Sequence, residues 1–296
     1  MHGRYCAALA QVHVQSPRAL SHPNERDFNM RTTIGLVTLA LFSVGCASDD
    51  ETTPQLVAHH GSADPTGVYE DDYAASHRVD VSAWTTAQID VTTWTTSPDV
   101  FTFVSFDSKL DLGIAQNAET NQFNPGKYSQ FDWATDQALA LRYCQVTYDS
   151  KSEAVAAAAP RADESNWEKG CSGFAWSTLT PPEILGVYAD DWGGSHAITG
   201  QTWTMGDTSP AQFNLRMLSN TRRFLIAENA ATNGYHPGKF SRFDWVVDPS
   251  GALYYCQTRY DAANEAEALA SAAADSIDLT NGCATFAWTK MTPLAP

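Results

Sequence analysis

Two histidines stand out as side chains that could do chemistry. His77 and His196 each follow a serine, in the segments SHRV and SHAI. Histidine changes its charge near neutral pH, so either residue could act as an acid, a base or a metal ligand. In a β-strand, each histidine would point to the same face of the sheet as the aliphatic residue two positions later. This pattern leaves open a histidine in or beside the core that hydrogen-bonds to a strand neighbour.

An aspartate lies between two aromatic residues in each of two Phe-Asp-Trp segments. An acid in this position could bind a sugar hydroxyl while the adjacent tryptophan stacks on the sugar ring. The residues concerned are Asp132, Trp133, Asp244 and Trp245. The alternative is an exposed strand aspartate that pairs with Lys127 or Lys239.

Two asparagines, Asn117 and Asn229, each begin a polar loop that ends in Pro-Gly. Asparagine tolerates turn conformations and bonds its own backbone, which favours a structural loop. Contact with calcium or a glycan is the alternative. The Asp-x-Asp-x-Asp-Gly spacing of a calcium loop does not occur in the sequence.

No catalytic constellation accompanies these candidate residues. The pair Ser76-His77 lacks a Gly-x-Ser-x-Gly elbow and a plausible third member. No two acids form an evident hydrolytic dyad, and no glycine-rich loop could hold a phosphate. We therefore expect a protein that is not an enzyme, with no catalytic residue, no cofactor and no metal. An envelope hydrolase that uses a His-Asp pair in each domain is the alternative.

The candidate residues occur in pairs because the chain contains one long stretch twice. Residues 114–148 and 226–260 align without a gap, and 20 of the 35 positions are identical. The same offset of 112 separates Cys171 from Cys283. The chain is therefore a tandem duplication with a domain-sized unit.

The ends of the two units follow from the same comparison. They open with similar segments near Gly67 and Gly186, which are 119 residues apart. The first copy therefore has extra residues, which lie around SAWTTAQIDVTTWTT. The proline pair at 181–182 marks the boundary, so we expect a first domain at 66–181 and a second at 182–296.

Each copy is expected to be an all-β domain with one short helix. Short segments rich in β-branched and aromatic residues alternate with Gly, Asp, Ser and Pro turns. Six or seven strands in about 110 residues predict a small antiparallel meander, barrel-like, with a sandwich as the alternative. Residues 264–270 are strong helix formers, and Asn264 is placed as their cap.

Four cysteines lie inside the repeats at equal spacing. Cys144 and Cys171 are 27 residues apart, and so are Cys256 and Cys283. The even number and the equal spacing in an exported chain predict one disulfide in each domain. Metal ligation is the alternative, but no Cys-x-x-Cys motif and no nearby histidine supports it.

The first 65 residues have no pattern of a folded domain. Residues 30–45 combine a short positive start with an apolar run too short to span a bilayer, and Cys46 follows. This resembles a bacterial lipoprotein signal, in which the cysteine is lipidated and becomes the new amino terminus. An ordinary secretory signal or a membrane anchor is the alternative. We interpret residues 1–29 as a spurious extension and residues 46–65 as an acidic flexible tether.

The repeat also resembles a unit of Gram-negative surface lipoproteins. That unit has His and Trp near its start, then IAQN, PGxxSRFDW, LYYCQ and GCxxFxWT. Both copies match it almost completely, although the first departs at Gln130 and Arg142. The resemblance implies a cell-envelope location and brings no activity. Ala47, rather than Asp, after the lipidated cysteine favours the outer membrane. The opening Gly-Val-Tyr segment resembles the first strand of lipocalin and avidin barrels.

The formal net charge of -16 excludes an ordinary nucleic-acid reader and attraction to anionic lipid. We therefore expect a non-enzymatic binding or structural module that is anchored in the lipid bilayer through Cys46. Its candidate ligand is a small molecule or glycan, and its oligomeric state is left open.

Overall fold

The computed structural model describes residues 63–294. The proposed extension, the signal at 30–45, the lipidation site Cys46 and nearly all of the tether lie outside the described residues. Within the described part of the chain, no helix has the length and apolar character needed to cross a membrane.

The first repeat folds into a closed barrel of eight antiparallel strands. Each strand pairs with the next along the chain, and the last pairs with the first, so no strand edge is left open. The barrel strands are β1 (Gly67–Asp71), β2 (Ser76–Val79), β3 (Ala83–Ala87), β6 (Asp99–Asp107), β7 (Leu112–Asn117), β8 (Tyr128–Thr135), β9 (Leu141–Ser150) and β10 (Ser177–Thr180). Between β3 and β6 the chain forms a separate hairpin of β4 (Ile89–Asp90) and β5 (Thr95–Thr96).

The second repeat forms the same kind of barrel. Its strands are β11 (Gly186–Asp190), β12 (Ser195–Ile198), β13 (Thr202–Met205), β14 (Ala211–Ser219), β15 (Phe224–Asn229), β16 (Phe240–Val247), β17 (Leu253–Ala262) and β18 (Thr289–Pro293). The prediction of barrel-like antiparallel meanders is confirmed, and the sandwich alternative is wrong. The sequence predicted six or seven strands in each copy, whereas each barrel has eight. The difference arises because short segments such as β11 and β18 complete the closure.

Aromatic side chains pack the inside of each barrel. In the second barrel the Trp203 ring stacks on Phe243, with 4.7 Å between ring centroids, and Trp245 lies in the same buried cluster. In the first barrel Trp84 stacks on Phe131 at 4.8 Å. Small barrels are commonly filled in this way by inward-facing residues that alternate with outward-facing ones.

A short helix and a disulfide follow the seventh strand of each barrel. The helices are α1 (Glu153–Ala157) and α2 (Glu265–Leu269), and the Asn264 side chain caps α2 by accepting from the Glu267 N–H. The disulfides Cys144–Cys171 and Cys256–Cys283 confirm the predicted pairing.

The Gly-Cys-x-x-Phe-x-Trp motif shapes the loop that carries the second cysteine. Trp288 Nε1 donates to the Asp275 carbonyl at 3.0 Å. A Cβ on Gly282 would lie only 2.1 Å from that same carbonyl oxygen, so the loop requires glycine there. The first copy repeats this arrangement with Gly170, Trp176 and Asp163. The motif therefore has a structural role in both repeats.

The two barrels pack directly against each other. Strands β1 and β2 of the first barrel lie against β14 of the second. Val68 is only 1% exposed and joins the core cluster of the second barrel. The Ser76 hydroxyl accepts a hydrogen bond of 3.0 Å from the Leu218 N–H, beside a bulge in β14. The two barrels therefore form one packed unit.

The extra residues of the first copy form the β4–β5 hairpin, and this hairpin packs on the second barrel. Trp94 contacts Phe224 edge to face, with 5.8 Å between ring centroids. The Arg242 guanidinium lies 4.6 Å from the centre of the Trp94 ring. Ile89 joins the same apolar cluster, which includes Leu269 of α2. The insertion thus covers part of the outer wall of the other repeat.

Candidate functional site

A concave site lies at one end of the second barrel. Because neighbouring strands run in opposite directions, the loops after β13 and β15 lie at the end opposite to the one where the chain enters and leaves the barrel. We call this end of each barrel its mouth. The mouth of the second barrel holds a cavity of about 810 Å³. The lining residues are Met205, Ser209, Pro210, Ala211, Phe213, Asn229, Thr232, Asn233, Gly234, Tyr235, His236, Gln257 and Tyr260.

A polar network inside the barrel holds the mouth loop, residues 230–239, in place. Asn229 Nδ2 donates to the His236 and Tyr260 carbonyls, at 2.9 Å each. Asn229 Oδ1 accepts from the Ser241 hydroxyl at 2.6 Å, and Gln257 Nε2 donates to the same hydroxyl at 3.0 Å. A buried network whose members are satisfied fixes one conformation.

The first barrel builds the same network from the equivalent positions. Asn117 Nδ2 donates to the Asn124 and Tyr148 carbonyls at 2.9 Å each. Asn117 Oδ1 accepts from Ser129 Oγ at 2.7 Å, and Gln145 Nε2 donates to that hydroxyl at 2.9 Å. Both Asn117 and Asn229 are 2% exposed, and their amides are used within the protein. The structure therefore places them as supports of a loop.

Aromatic side chains line the rim of the second mouth. Tyr235 is 86% exposed and Tyr260 is 54% exposed. The His236 ring lies 5.2 Å from the Tyr260 ring. Among the described residues, the two phenol hydroxyls and the imidazole nitrogens make no hydrogen bond. These groups are therefore available to a molecule in the mouth.

No sequence pattern singled out the rim residues. Among the candidate residues, Asn117 and Asn229 support the mouth loops, whereas the candidate His, Asp and Trp side chains lie elsewhere in the barrels. The tip residues differ between copies: Phe123 stands where the second copy has Tyr235, and Asn124 stands where it has His236. The signal that could have identified the rim was this local difference between two copies whose surrounding sequence is nearly the same.

The mouth of the first barrel is narrower, with a cavity of about 280 Å³. There Asp99 Oδ1 accepts a hydrogen bond of 2.8 Å from the Gln122 N–H, which ties the loop to strand β6. The equivalent positions in the second barrel are Ala211 and Gly234, which cannot make this contact. The two mouths therefore share a framework and differ in access.

Each candidate histidine lies inside its barrel and pairs with an aspartate. His196 is 2% exposed, and its Nε2 lies 3.1 Å from Asp190 Oδ2. The Trp203 Nε1–H donates to His196 Nδ1 at 3.1 Å. This network assigns the neutral tautomer with the proton on Nε2. Both ring nitrogens are thus engaged, and the ring packs 5.0 Å from Tyr255.

The first barrel has the same arrangement at His77. Its Nε2 lies 3.1 Å from Asp71 Oδ2, and Trp84 Nε1–H donates to its Nδ1 at 3.0 Å. Burial raises the pKa of the Asp71 carboxyl, but hydrogen bonds from His77 and from the Ala75 and Tyr73 N–H groups outweigh it. The net pKa of Asp71 is therefore lowered. Both histidines are buried, His77 at 1% and His196 at 2% exposure.

Asp132 and Asp244 lie buried on the outer walls of the barrels. Arg242 Nη2 is 3.0 Å from Asp244 Oδ1, and Arg242 Nη1 donates to the carbonyl of Leu269, the last residue of α2, and to that of Ser271. The alternative of an exposed aspartate paired with lysine is wrong for both residues, since these carboxylates are 1% and 5% exposed and pair with arginine.

The first barrel supplies the arginine from another place in the chain. Gln130 occupies the position of Arg242, and its Nε2 donates to Asp132 Oδ1 at 3.1 Å. Arg161, from the loop after α1, pairs with Asp132 Oδ2 at 2.8 Å. The ion pair is thus kept although its cation has moved.

Trp133 and Trp245 are turned into the barrels and are 0% and 2% exposed. Trp133 Nε1 donates to the Ala63 carbonyl at 2.9 Å, and Trp245 Nε1 donates to Glu183 Oε1 at 2.6 Å. Neither ring offers a free face for stacking in this structure. The structure therefore does not bring the Phe-Asp-Trp residues together as a sugar site.

In residues 63–294, no group of three or more His, Cys, Asp and Glu side chains is placed to hold a metal ion. No protein-family model, no curated protein and no solved structure matches the chain.

Proposed function

We propose that the protein is a non-enzymatic binding module of the bacterial cell envelope, anchored by lipid on Cys46 and held in the outer membrane. The signal-like residues 30–45, the acidic tether at 46–65 and the lipoprotein resemblance support the location. Palmitate labelling of the expressed chain tests the anchor. We expect the label to be lost, and the protein to leave the membrane fraction, when Cys46→Ser is introduced.

The relation between loop and framework carries the binding proposal. In both barrels an asparagine, a serine and a glutamine from three strands fix the mouth loop by the same hydrogen bonds. The loop tip differs in chemistry between the copies, with Phe123 and Asn124 in the first barrel and Tyr235 and His236 in the second. A rigid scaffold that presents a variable loop is a common design for binding.

The topology separates the mouth of the first barrel from the point where the chain enters that barrel. The chain enters the first barrel at β1, at the end opposite to the loop that joins β7 and β8. In the proposed arrangement the tether is therefore attached away from the mouth of that barrel.

Native mass spectrometry tests the binding function. The exported full-length chain is incubated with small molecules extracted from the envelope and compared with its denatured mass. We expect an added mass in the native spectrum that disappears in the double variant Tyr235→Ala, Tyr260→Ala. The matched control Tyr73→Ala removes an exposed tyrosine of the first barrel and should retain the added mass. A native mass equal to that of the bare chain would contradict the proposal.

A hydrolase is the second candidate, because a His-Asp pair at 3.1 Å is present in each barrel. A general base needs a free ring nitrogen within reach of the proton that it removes. Here one nitrogen is bonded to aspartate and the other to a tryptophan N–H. We therefore expect His196→Gln to lower stability, measured by denaturant titration, without removing any turnover. Loss of turnover with unchanged stability would favour the hydrolase.

A further inference from the structure

We propose that the mouth of the second barrel binds an uncharged saccharide that lies across the rim. This inference rests on the binding function proposed above and names the chemistry of the ligand. It depends on five properties of the site: where a ligand can fit, which charges it meets, which groups are free, how firmly the rim is held, and how the first barrel differs.

A ligand can occupy the mouth but not the middle of the barrel. Below the cavity, the interior is filled by Trp203, Phe243 and Trp245, which are at most 2% exposed. An apolar ligand gains affinity mainly by complete removal from water, which requires a deep enclosed cavity. A molecule at this open mouth keeps one side in water, which favours a ligand that is itself polar.

The lining carries no fixed charge. Among the described residues that line the cavity there is no aspartate, glutamate, lysine or arginine. Charged ligands are normally met by an opposite charge or by clustered donors at close range. The chain as a whole has a net charge of -16, which further disfavours an anion. An uncharged ligand fits both observations.

The free groups of the rim match the two kinds of surface on a sugar, its C–H faces and its hydroxyl groups. The exposed face of Tyr235 and the half-exposed ring of Tyr260 offer π faces to the C–H groups of a pyranose. The two phenol hydroxyls, the His236 imidazole and Gln257 Oε1 make no hydrogen bond among the described residues. They supply both donors and acceptors for sugar hydroxyls.

The rim is also preorganised for binding. The carbonyls of His236 and Tyr260 are both bonded to the Asn229 side chain, so the backbone that carries the two rings is held in place, and the ring centroids are 5.2 Å apart. Fixing the groups before binding reduces the entropy lost when a ligand is held.

The first barrel lacks this combination. Phe123 has no hydroxyl, Asn124 has no ring, and the bond between Asp99 and the Gln122 N–H narrows the entrance. Asp99 also places a carboxylate in the lining of that smaller cavity. We therefore assign one saccharide site to the chain, at the second barrel.

The test uses the exported full-length chain on an array of neutral, sialylated and sulfated oligosaccharides. We expect binding to neutral members, with affinity about tenfold weaker in Tyr235→Ala because a stacking contact is lost. The matched control Phe123→Ala changes the equivalent residue of the first barrel and should leave binding unchanged. Circular dichroism of each variant confirms that the fold is retained.

Other outcomes overturn the inference in distinguishable ways. Binding only to anionic oligosaccharides, or binding insensitive to Tyr235→Ala, shows that this mouth is not a neutral saccharide site. If no oligosaccharide binds while native spectra still show a mouth-dependent added mass, the ligand class is wrong and the binding function stands. If neither is observed, both proposals fail.

A gain-of-function variant tests why the saccharide site is assigned to the second barrel and not to the first. The triple variant Asp99→Ala, Phe123→Tyr, Asn124→His gives the first mouth three residues of the second and removes the Asp99 contact with the Gln122 N–H. We expect the stoichiometry in calorimetric titration with the best neutral oligosaccharide to rise from one site to two. A stoichiometry that stays at one would show that these differences do not determine which barrel binds.

Discussion

The carboxylate of Glu70 in the first barrel accepts a hydrogen bond of 2.9 Å from the hydroxyl of Ser219 in the second. The same carboxylate accepts from the Thr221 N–H at 2.8 Å, and it is 5% exposed. The equivalent of Glu70 in the second copy is Ala189. Divergence after the duplication has therefore given one face of the first barrel a specific role in joining the repeats.

Removing this carboxylate should weaken the contact between barrels. We expect Glu70→Ala to lower the free energy of unfolding by about 2 kcal/mol, because bonds to a charged acceptor are lost and their donors stay buried. Denaturant titration followed by tryptophan fluorescence measures the change. The control Glu168→Ala, on an exposed side chain, should be neutral. Equal stability of the two variants would contradict an energetic role for the contact.

The inserted hairpin provides a second link between the repeats. We expect Trp94→Ala to destabilise the second barrel by about 2 kcal/mol, since the cation–π contact with buried Arg242 and the apolar contact with Phe224 are both lost. The control is Tyr73→Ala, which removes an exposed aromatic side chain from the same repeat. Hydrogen exchange should rise in strands β15 and β16 in the Trp94 variant alone. Unchanged exchange there would show that the hairpin only rests on the surface.

The sequence predicted the local structure well because its signals are local. Alternating apolar residues, Asp- and Gly-containing turns, the cap at Asn264 and the equal spacing of the cysteines all act within a few residues or within one hairpin. Closure of eight strands depends on contacts between the first and last strands, such as Glu70 with Thr180, which no local pattern reveals.

The candidate site was harder to predict for a physical reason. Residues identical in the two copies, such as Asn229 and Gln257, are kept because a buried network tolerates no partial loss. Residues that face a ligand are free to differ, so Tyr235 and His236 carried no signal of identity. Trp245 was expected to stack on a sugar ring, but its side chain is 2% exposed and belongs to the buried core of the second barrel.

The buried His-Asp pairs should make stability depend on pH. Burial raises the pKa of Asp190, but hydrogen bonds from His196 and from the Gly194 and Trp192 N–H groups lower it more, so the folded-state pKa lies below that of the unfolded chain. The pKa of Asp71 is lowered in the same way. The folded state thus binds fewer protons at these sites in acid.

The stabilisation from these two carboxylates should be lost in acid. The stabilisation is fully present above the unfolded pKa of about 3.9 and is lost as the pH falls through the lowered folded value. We expect Asp190→Asn to reduce stability at pH 6 and to make the decline below about pH 4 shallower than in the wild type. Denaturant titration across pH 2.5 to about 7 measures both effects. The exposed Asp149→Asn is the control, and an identical acid profile in both variants would contradict the assignment.

The two disulfides offer a comparison within one chain. Each closes 27 residues with 5.5 Å between the Cα atoms, so loop entropy alone predicts the same cost for losing either, roughly 3.5 kcal/mol. The loops differ in how an arginine ties them to the barrel. In the first loop, Arg161 bonds to Asp132 at 2.8 Å and to two backbone carbonyls of the barrel. In the second loop the equivalent position is Ala273, and Arg242 of the barrel wall bonds to the Ser271 carbonyl at 2.8 Å.

We therefore expect the double variant Cys256→Ser, Cys283→Ser to loosen its loop more than Cys144→Ser, Cys171→Ser does. Hydrogen exchange of residues 270–288 should increase more than that of residues 158–176 in the respective variants. Adding Arg161→Ala to the first pair should remove the difference, because the ion pair and the bonds to the Leu110 and Asp111 carbonyls are lost together. Equal exchange of the two loops before Arg161 is changed would show that the disulfide alone determines the order of each loop.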